Sequence, residues 1–295
     1  MKTLKIMTPF LCFLFLLGCK SDNILNDTNK DGFWIQVGQT VVPTSNVDYY
    51  DFSTHTVYLK KEQAFFKDSD TGLFTVNVGD TKIYTGTIRP SYLNSFPTGA
   101  YIDPMFMIDK NQYALPISFR SVINPENDDP RSDPRIVEAL KSEGKYHAGL
   151  RVEIQAIQFL PDNKVSFDFQ LSNQDTFDYL YLDINKMGIG LFHYFTNGLT
   201  FFSEKNARFY TPQLSVVEPN PWNSWKKEWL SVIRSGESKP FTITYNQFDS
   251  MPAGSYQVFF YFPGLSFYQV EQKNLVQSDG RIWMGQIVTS LDCTK

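Results

Sequence analysis

Two alternating stretches joined by a turn constrain this chain more than any other feature. Leu150, Val152, Ile154 and Ala156 alternate with Arg151, Glu153 and Gln155; after Pro161-Asp162-Asn163, Val165, Phe167, Phe169 and Leu171 alternate with Ser166, Asp168 and Gln170. Successive side chains of a strand point to opposite faces, so the spacing predicts a hairpin with one buried face. Phe241, Ile243 and Tyr245 repeat the pattern, and Tyr256, Val258, Phe260 and Phe262 share one face of a further strand. A sheet with one apolar face must cover it with a second layer, so the expected class is all-β. Aromatic residues make up 16% of the chain, with 26 Phe and 16 Tyr, and these residues favour strands.

Upstream the strands are shorter. Trp34, Val37, Val41 and Val42 open a β region, and residues 55–60 alternate cleanly. Further strands are predicted over 73–78, 82–88 and 112–119, separated by turn residues at 70–72, 78–80 and 96–99. Residues 32–123 therefore read as a small N-terminal β domain. Residues 124–144 hold Pro125, Pro130 and Pro134 among Glu126, Asp128, Asp129 and Asp133, a composition suited to a linker. At its end Asp133 can cap a short helix that starts at Pro134, buries Ile136, Val137 and Leu140, and stops at Gly144.

Residues 145–295 form the second expected domain. Within them the run Asp249 to Tyr256, with Pro252 and Gly254 leading into the tyrosine, resembles the tyrosine corner of immunoglobulin-like β-sandwiches. The resemblance implies such a sandwich here, although its paired cysteines are absent.

The N-terminus carries a second resemblance. Lys2 and Lys5 precede an apolar run of 12 residues, 6–17, that ends in Leu16-Leu17-Gly18-Cys19. A membrane-spanning helix needs roughly 20 apolar residues, so the run is short for an uncleaved anchor. The segment resembles a bacterial lipoprotein signal peptide with its lipobox. That resemblance implies removal of residues 1–18, diacylglycerol on Cys19, and membrane attachment at about 0.8 kcal/mol per buried methylene. Lys20 is not the aspartate that retains enterobacterial lipoproteins in the inner membrane, so the outer membrane is expected, on either its periplasmic or its surface side. The run 19–23 is loosely similar to the charged export tags of Bacteroidota surface lipoproteins, and residues 19–31 read as a tether of about 20 Å.

Charge and cysteine count narrow the partners. The formal charge is −4, more negative once Lys2 and Lys5 are removed, with no basic cluster, which argues against nucleic acid. Only Cys12, Cys19 and Cys293 exist, so a processed, lipidated chain keeps one free thiol and no internal disulfide.

Several constellations could carry chemistry. Asp27, Asn29, Asp31 and Gly32 match half of a calcium loop, but position twelve is Gly38 rather than glutamate, which favours a polar turn. Glu126, Asp128, Asp129 and Asp133 could offer carboxylates to a cation or simply solvate a linker. Trp222, Trp225 and Trp229 follow Pro219-Asn220-Pro221 at helical spacing. Exposed, they would make a glycan platform; buried, an amphipathic turn packed on the sandwich. A second aromatic concentration spans 192–195 and 201–202. His55, His147 and His193 share no metal-ligand spacing, and no nucleophile elbow, Walker loop or cofactor motif is present. Paired carboxylates of a glycosidase are defined in space, so sequence is a weak test of them.

These features lead us to expect a lipid-anchored, non-enzymatic binding or assembly module with an outer-membrane protein partner. The alternatives are a glycan-binding accessory of a polysaccharide-uptake system, resting on the tryptophans, and a hydrolase with unrecognised carboxylates.

Overall fold

A computed structural model describes residues 32–66, 71–93, 97–120 and 129–295. Cys19, the signal and tether segments, the half calcium loop up to Asp31, Glu126 and Asp128 lie outside these residues. Strands account for 51% of the described residues and helices for 12%, so the protein is all-β. Among the described residues no helix is long and apolar enough to cross a membrane.

The strands divide into five small sheets. The first runs, in spatial order, Thr40–Val42, Phe33–Val37, Gly72–Val78, Thr81–Ile88, Gly99–Ile102, Ser118–Arg120. The second runs Tyr146–His147, Val47–Asp51, Thr56–Ala64, Asn111–Pro116. Between these two sheets lies a core of Phe33, Ile35, Tyr50, Val57, Phe74 and Val76, closed by Ile136 and Leu140 of the helix Pro134–Ser142. That helix forms as its sequence predicts: the Asp133 carboxylate accepts from Arg135 N at 2.9 Å and Gly144 ends it at φ +64°. Val137 is only half-buried.

The third sheet holds Leu150–Leu160, Lys164–Asn173 and Ser238–Tyr245. The fourth holds Leu230–Ile233, Tyr179–Leu182, Gly280–Ile282 and Val276–Gln277, and the fifth Arg208–Tyr210, Gly198–Ser203, Ser255–Pro263 and Gln286–Thr294. The predicted hairpin is present, turning at Asp162 and Asn163, both with positive φ. Its first strand departs from strict alternation after Ile154. A bulge at Gln155 shifts the register, so Ile157 and Phe159, not Ala156, continue the side that packs on the core. Third and fifth sheets share that core through Phe167, Phe169 and Ile243 on one side and Val258, Phe260 and Phe262 on the other.

Residues 145–295 are not a clear two-sheet sandwich; the five sheets make a propeller-like set. The physical reason lies in Tyr179–Leu182, whose four residues are all buried. Tyr179 and Tyr181 face the second-half core, while Leu180 and Leu182 join Tyr49, Tyr58 and Tyr113 of the second sheet. A strand apolar on both faces needs a layer on each side, and the first half supplies the extra one. Tyr146 and His147 also pair in parallel with Tyr50 and Asp51, so the second sheet draws strand residues from past the helix.

Candidate functional site

A cavity of about 1210 Å³ opens where first-half and second-half segments meet. One wall carries the turn at 53–56, the edge of the strand Asn111–Pro116, and Phe119; the other carries Phe259, Tyr261, Phe267 and residues 286–288. These positions are scattered through the chain, and sequence reasoning singled out none of them as a site. One signal was available. Phe259 and Tyr261 are surplus aromatics, on the side of their strand opposite to the core residues Val258, Phe260 and Phe262.

The charges bordering the cleft are largely internally satisfied. Arg131 grips Asp129 with Nε–Oδ1 at 2.9 Å and Nη2–Oδ2 at 2.6 Å, donates from Nη1 to Ile117 O at 2.7 Å, and lies over the Phe119 ring. Burial works against the Asp129 carboxylate, but the Arg131 hydrogen bonds and charge outweigh it and hold its pKa below the usual range. His55 sits at φ +51°, with Nδ1 2.9 Å from the Tyr50 hydroxyl. Burial, aided by the Arg131 charge, pushes its pKa down to about 3, so it is neutral and a weak base.

Behind the cleft floor the two halves are joined by a buried polar cluster. Asp175 accepts from His147 Nδ1 and Tyr179 Oη, both at 2.7 Å, and from Gly149 N at 3.2 Å. Burial raises its pKa, but these bonds overcome that effect and bring it to about 2. Asp51, 1% exposed, is bound by Ser53 N and Oγ yet pushed up to about 6 by burial. Gly149 has φ +73°, and a Cβ there would lie 2.4 Å from Asp51 Oδ1, so only glycine lets the segments close. Two carboxylates with divergent pKa values are a pattern of acid–base enzymes. Here neither lines the cleft, and both are held by neighbouring groups of the protein.

The structure separates the three tryptophans. Pro219, Pro221 and Asn223 at φ +61° keep the segment irregular until the 3-10 turn Lys227–Trp229, so no helix aligns them. Trp225 donates from Nε1 to Gln269 O at 2.9 Å and packs with Trp229, both half-buried, on the core between the second and fourth sheets. Only Trp222 is exposed, at 72%. Asp129 and Asp133 are engaged with Arg131 and Arg135, and among the described residues no cluster is suited to hold a metal ion. The Cys293 thiol is half-buried and pushed up to about 11 by burial, which makes it unreactive. No protein-family model matches the chain, and no curated protein matches it.

Proposed function

We propose that the chain is a non-enzymatic binding module, lipid-anchored through Cys19 to a bacterial outer membrane, whose protein partner inserts a segment into the cleft between the halves. The observation that carries this reading is the cleft bordered by strands at sheet edges. Ser118–Arg120 ends the first sheet and Gln286–Thr294 ends the fifth, and both contribute residues to the cleft. An edge strand offers backbone donors and acceptors to an extended peptide, and aromatic pockets between such edges give it specificity. At the surface Phe106, 44% exposed, meets Tyr268, 43% exposed, with ring centroids 4.5 Å apart, next to Phe267 of the cleft. Exposed aromatics of this kind are common binding anchors. The same reading takes residues 145–295 as a modified immunoglobulin-like unit. The Tyr256 hydroxyl donating to Pro252 O at 2.5 Å and the shared core of the third and fifth sheets support it.

Cross-linking on intact cells followed by affinity purification tests the proposal. A stoichiometric envelope protein should come with the wild-type chain, and Val288→Arg, at a cleft residue 51% exposed, should cut its recovery at least tenfold. Recovery of the chain alone would sink the reading. The glycan-accessory alternative is not supported by the tryptophans, because two of them are half-buried against the core between the second and fourth sheets.

A further inference from the structure

A second, smaller pocket of about 460 Å³ opens on the outer side of the fifth sheet, sharing only Tyr261 with the cleft. One wall is the turn that holds His193 and Asn197 and leads into Gly198–Ser203, and the opposite wall is the irregular segment after Tyr210, through Leu214 and Val216. That segment is held in place at both ends of this stretch: Gln213 N donates to Gln247 O at 2.9 Å, and Val217 N to Gly190 O at 3.0 Å. Its volume is within the range of roughly 300–1,000 Å³ usual for small-molecule sites.

The chemistry of the lining is selective. None of the described residues that line it is charged. A charged ligand would lose water without gaining a counter-ion there, which disfavours its entry. The polar groups are hydroxyls, one amide and one imidazole. Thr196 is already committed, donating to Tyr261 O and accepting from Gly198 N. Thr200 is not: 7% exposed, its hydroxyl has no partner. A buried, unpaired hydroxyl carries a desolvation penalty that a ligand hydroxyl would relieve. Asn197 is exposed at the rim, and Thr211 Oγ1 makes only a long 3.5 Å contact to Asp249. His193 is held by Nε2 against the Tyr245 hydroxyl at 2.9 Å, and burial keeps it neutral. Phe209 stands 55% exposed at the mouth, propped by Phe202 at 4.8 Å. A ring left in water beside such groups suits a ligand with an apolar face and a hydroxylated edge.

We propose that this pocket binds a neutral monosaccharide ring, stacked on Phe209 and hydrogen-bonded by Thr200, Thr211, Asn197 and His193. The site does not depend on the cleft or on its partner.

Saturation-transfer NMR on the purified full chain tests it, with glucose, galactose, mannose and N-acetylglucosamine as probes and glucuronate and glucosamine as charged controls. At least one neutral sugar should show transfer at millimolar concentration, with charged analogues at least tenfold weaker. Phe209→Ala and Asn197→Ala, both at exposed positions, should each weaken it at least fivefold, while Trp222→Ala leaves it unchanged. Silence from every neutral sugar, equal transfer to charged analogues, or transfer surviving both substitutions would overturn the proposal. Failure here leaves partner capture in the cleft untouched, and failure there leaves this pocket untouched.

Discussion

The strand Ser255–Pro263 has two faces, one sealed and one open. Tyr256, Val258, Phe260 and Phe262 are at most 3% exposed and meet the third sheet. Phe259 and Tyr261, one residue along, are half-buried and line the cavities. Both faces are aromatic, so hydrophobicity alone does not tell core from site. What separates them is whether a second layer has covered the rings. On the inner face every ring has partners, such as Phe260 with Phe167 and Phe169 at 4.8 Å. On the outer face Phe259 and Tyr261 border open cavities instead.

The sharpest way to break this comparison is to truncate one ring on each face. Phe260→Ala should cost about 3–5 kcal/mol in urea unfolding, the usual loss for a sealed core phenylalanine. Phe259→Ala should cost about 1 kcal/mol or less and show its effect in partner recovery instead. Equal costs would mean that the outer face is as closed as the inner one.

The next largest effect falls on His193, which is 8% exposed and belongs to both environments, holding Tyr245 of the core while lining the smaller pocket. Burial brings its folded-state pKa down to about 4 from 6.5. The unfolded chain then takes up a proton that the folded chain refuses. The stabilisation is therefore complete above about pH 6.5 and is lost as pH falls towards 4, with a size on the order of 3 kcal/mol. Asp51, raised to about 6, acts in the opposite sense over nearly the same range. The contribution of His193 is thus read as the difference between wild type and His193→Gln at pH 7 and pH 4.5. Parallel pH curves for the two proteins would remove it.

A smaller effect belongs to the corner at the edge of the inner face. Tyr256→Phe deletes the bond to Pro252 O while keeping the ring, so unfolding free energy should fall by about 1 kcal/mol. A loss near zero would show that ring packing alone fixes the crossover.

Sequence pattern made much of the inner face legible, because period-two alternation is a local property that survives in the fold. Residues 241–245 and 256–262 bury the faces their spacing assigns, and Asp133, Pro134 and Gly144 bound the helix where cap and stop chemistry put them. Alternation failed at Gln155, where a bulge adds a residue that no single strand announces. It also failed to foresee the separate fourth sheet. The run Tyr179–Leu182 is continuously apolar, and only its contact with Tyr49 and Tyr58 explains why. The cleft was invisible for a related reason: Ser53, Phe119, Arg131 and Tyr261 converge through tertiary contacts separated by tens to hundreds of residues.

The smallest effect concerns the residue that looked most like a binding group. Trp222 is 72% exposed, at a bend that follows two prolines, and it belongs to neither buried core nor either cavity. Removing an exposed side chain away from special features usually changes stability by less than about 0.5 kcal/mol. Trp222→Ala should therefore unfold with the wild type in urea and keep the same mobility in a native gel containing neutral polysaccharide. Its neighbours Trp225 and Trp229 cannot join it on a flat platform without leaving the core they pack against. A gel shift that disappears with Trp222 alone would reverse the comparison. It would mean that an isolated, uncovered ring outweighs the outer-face rings that stand beside hydroxyl and amide groups.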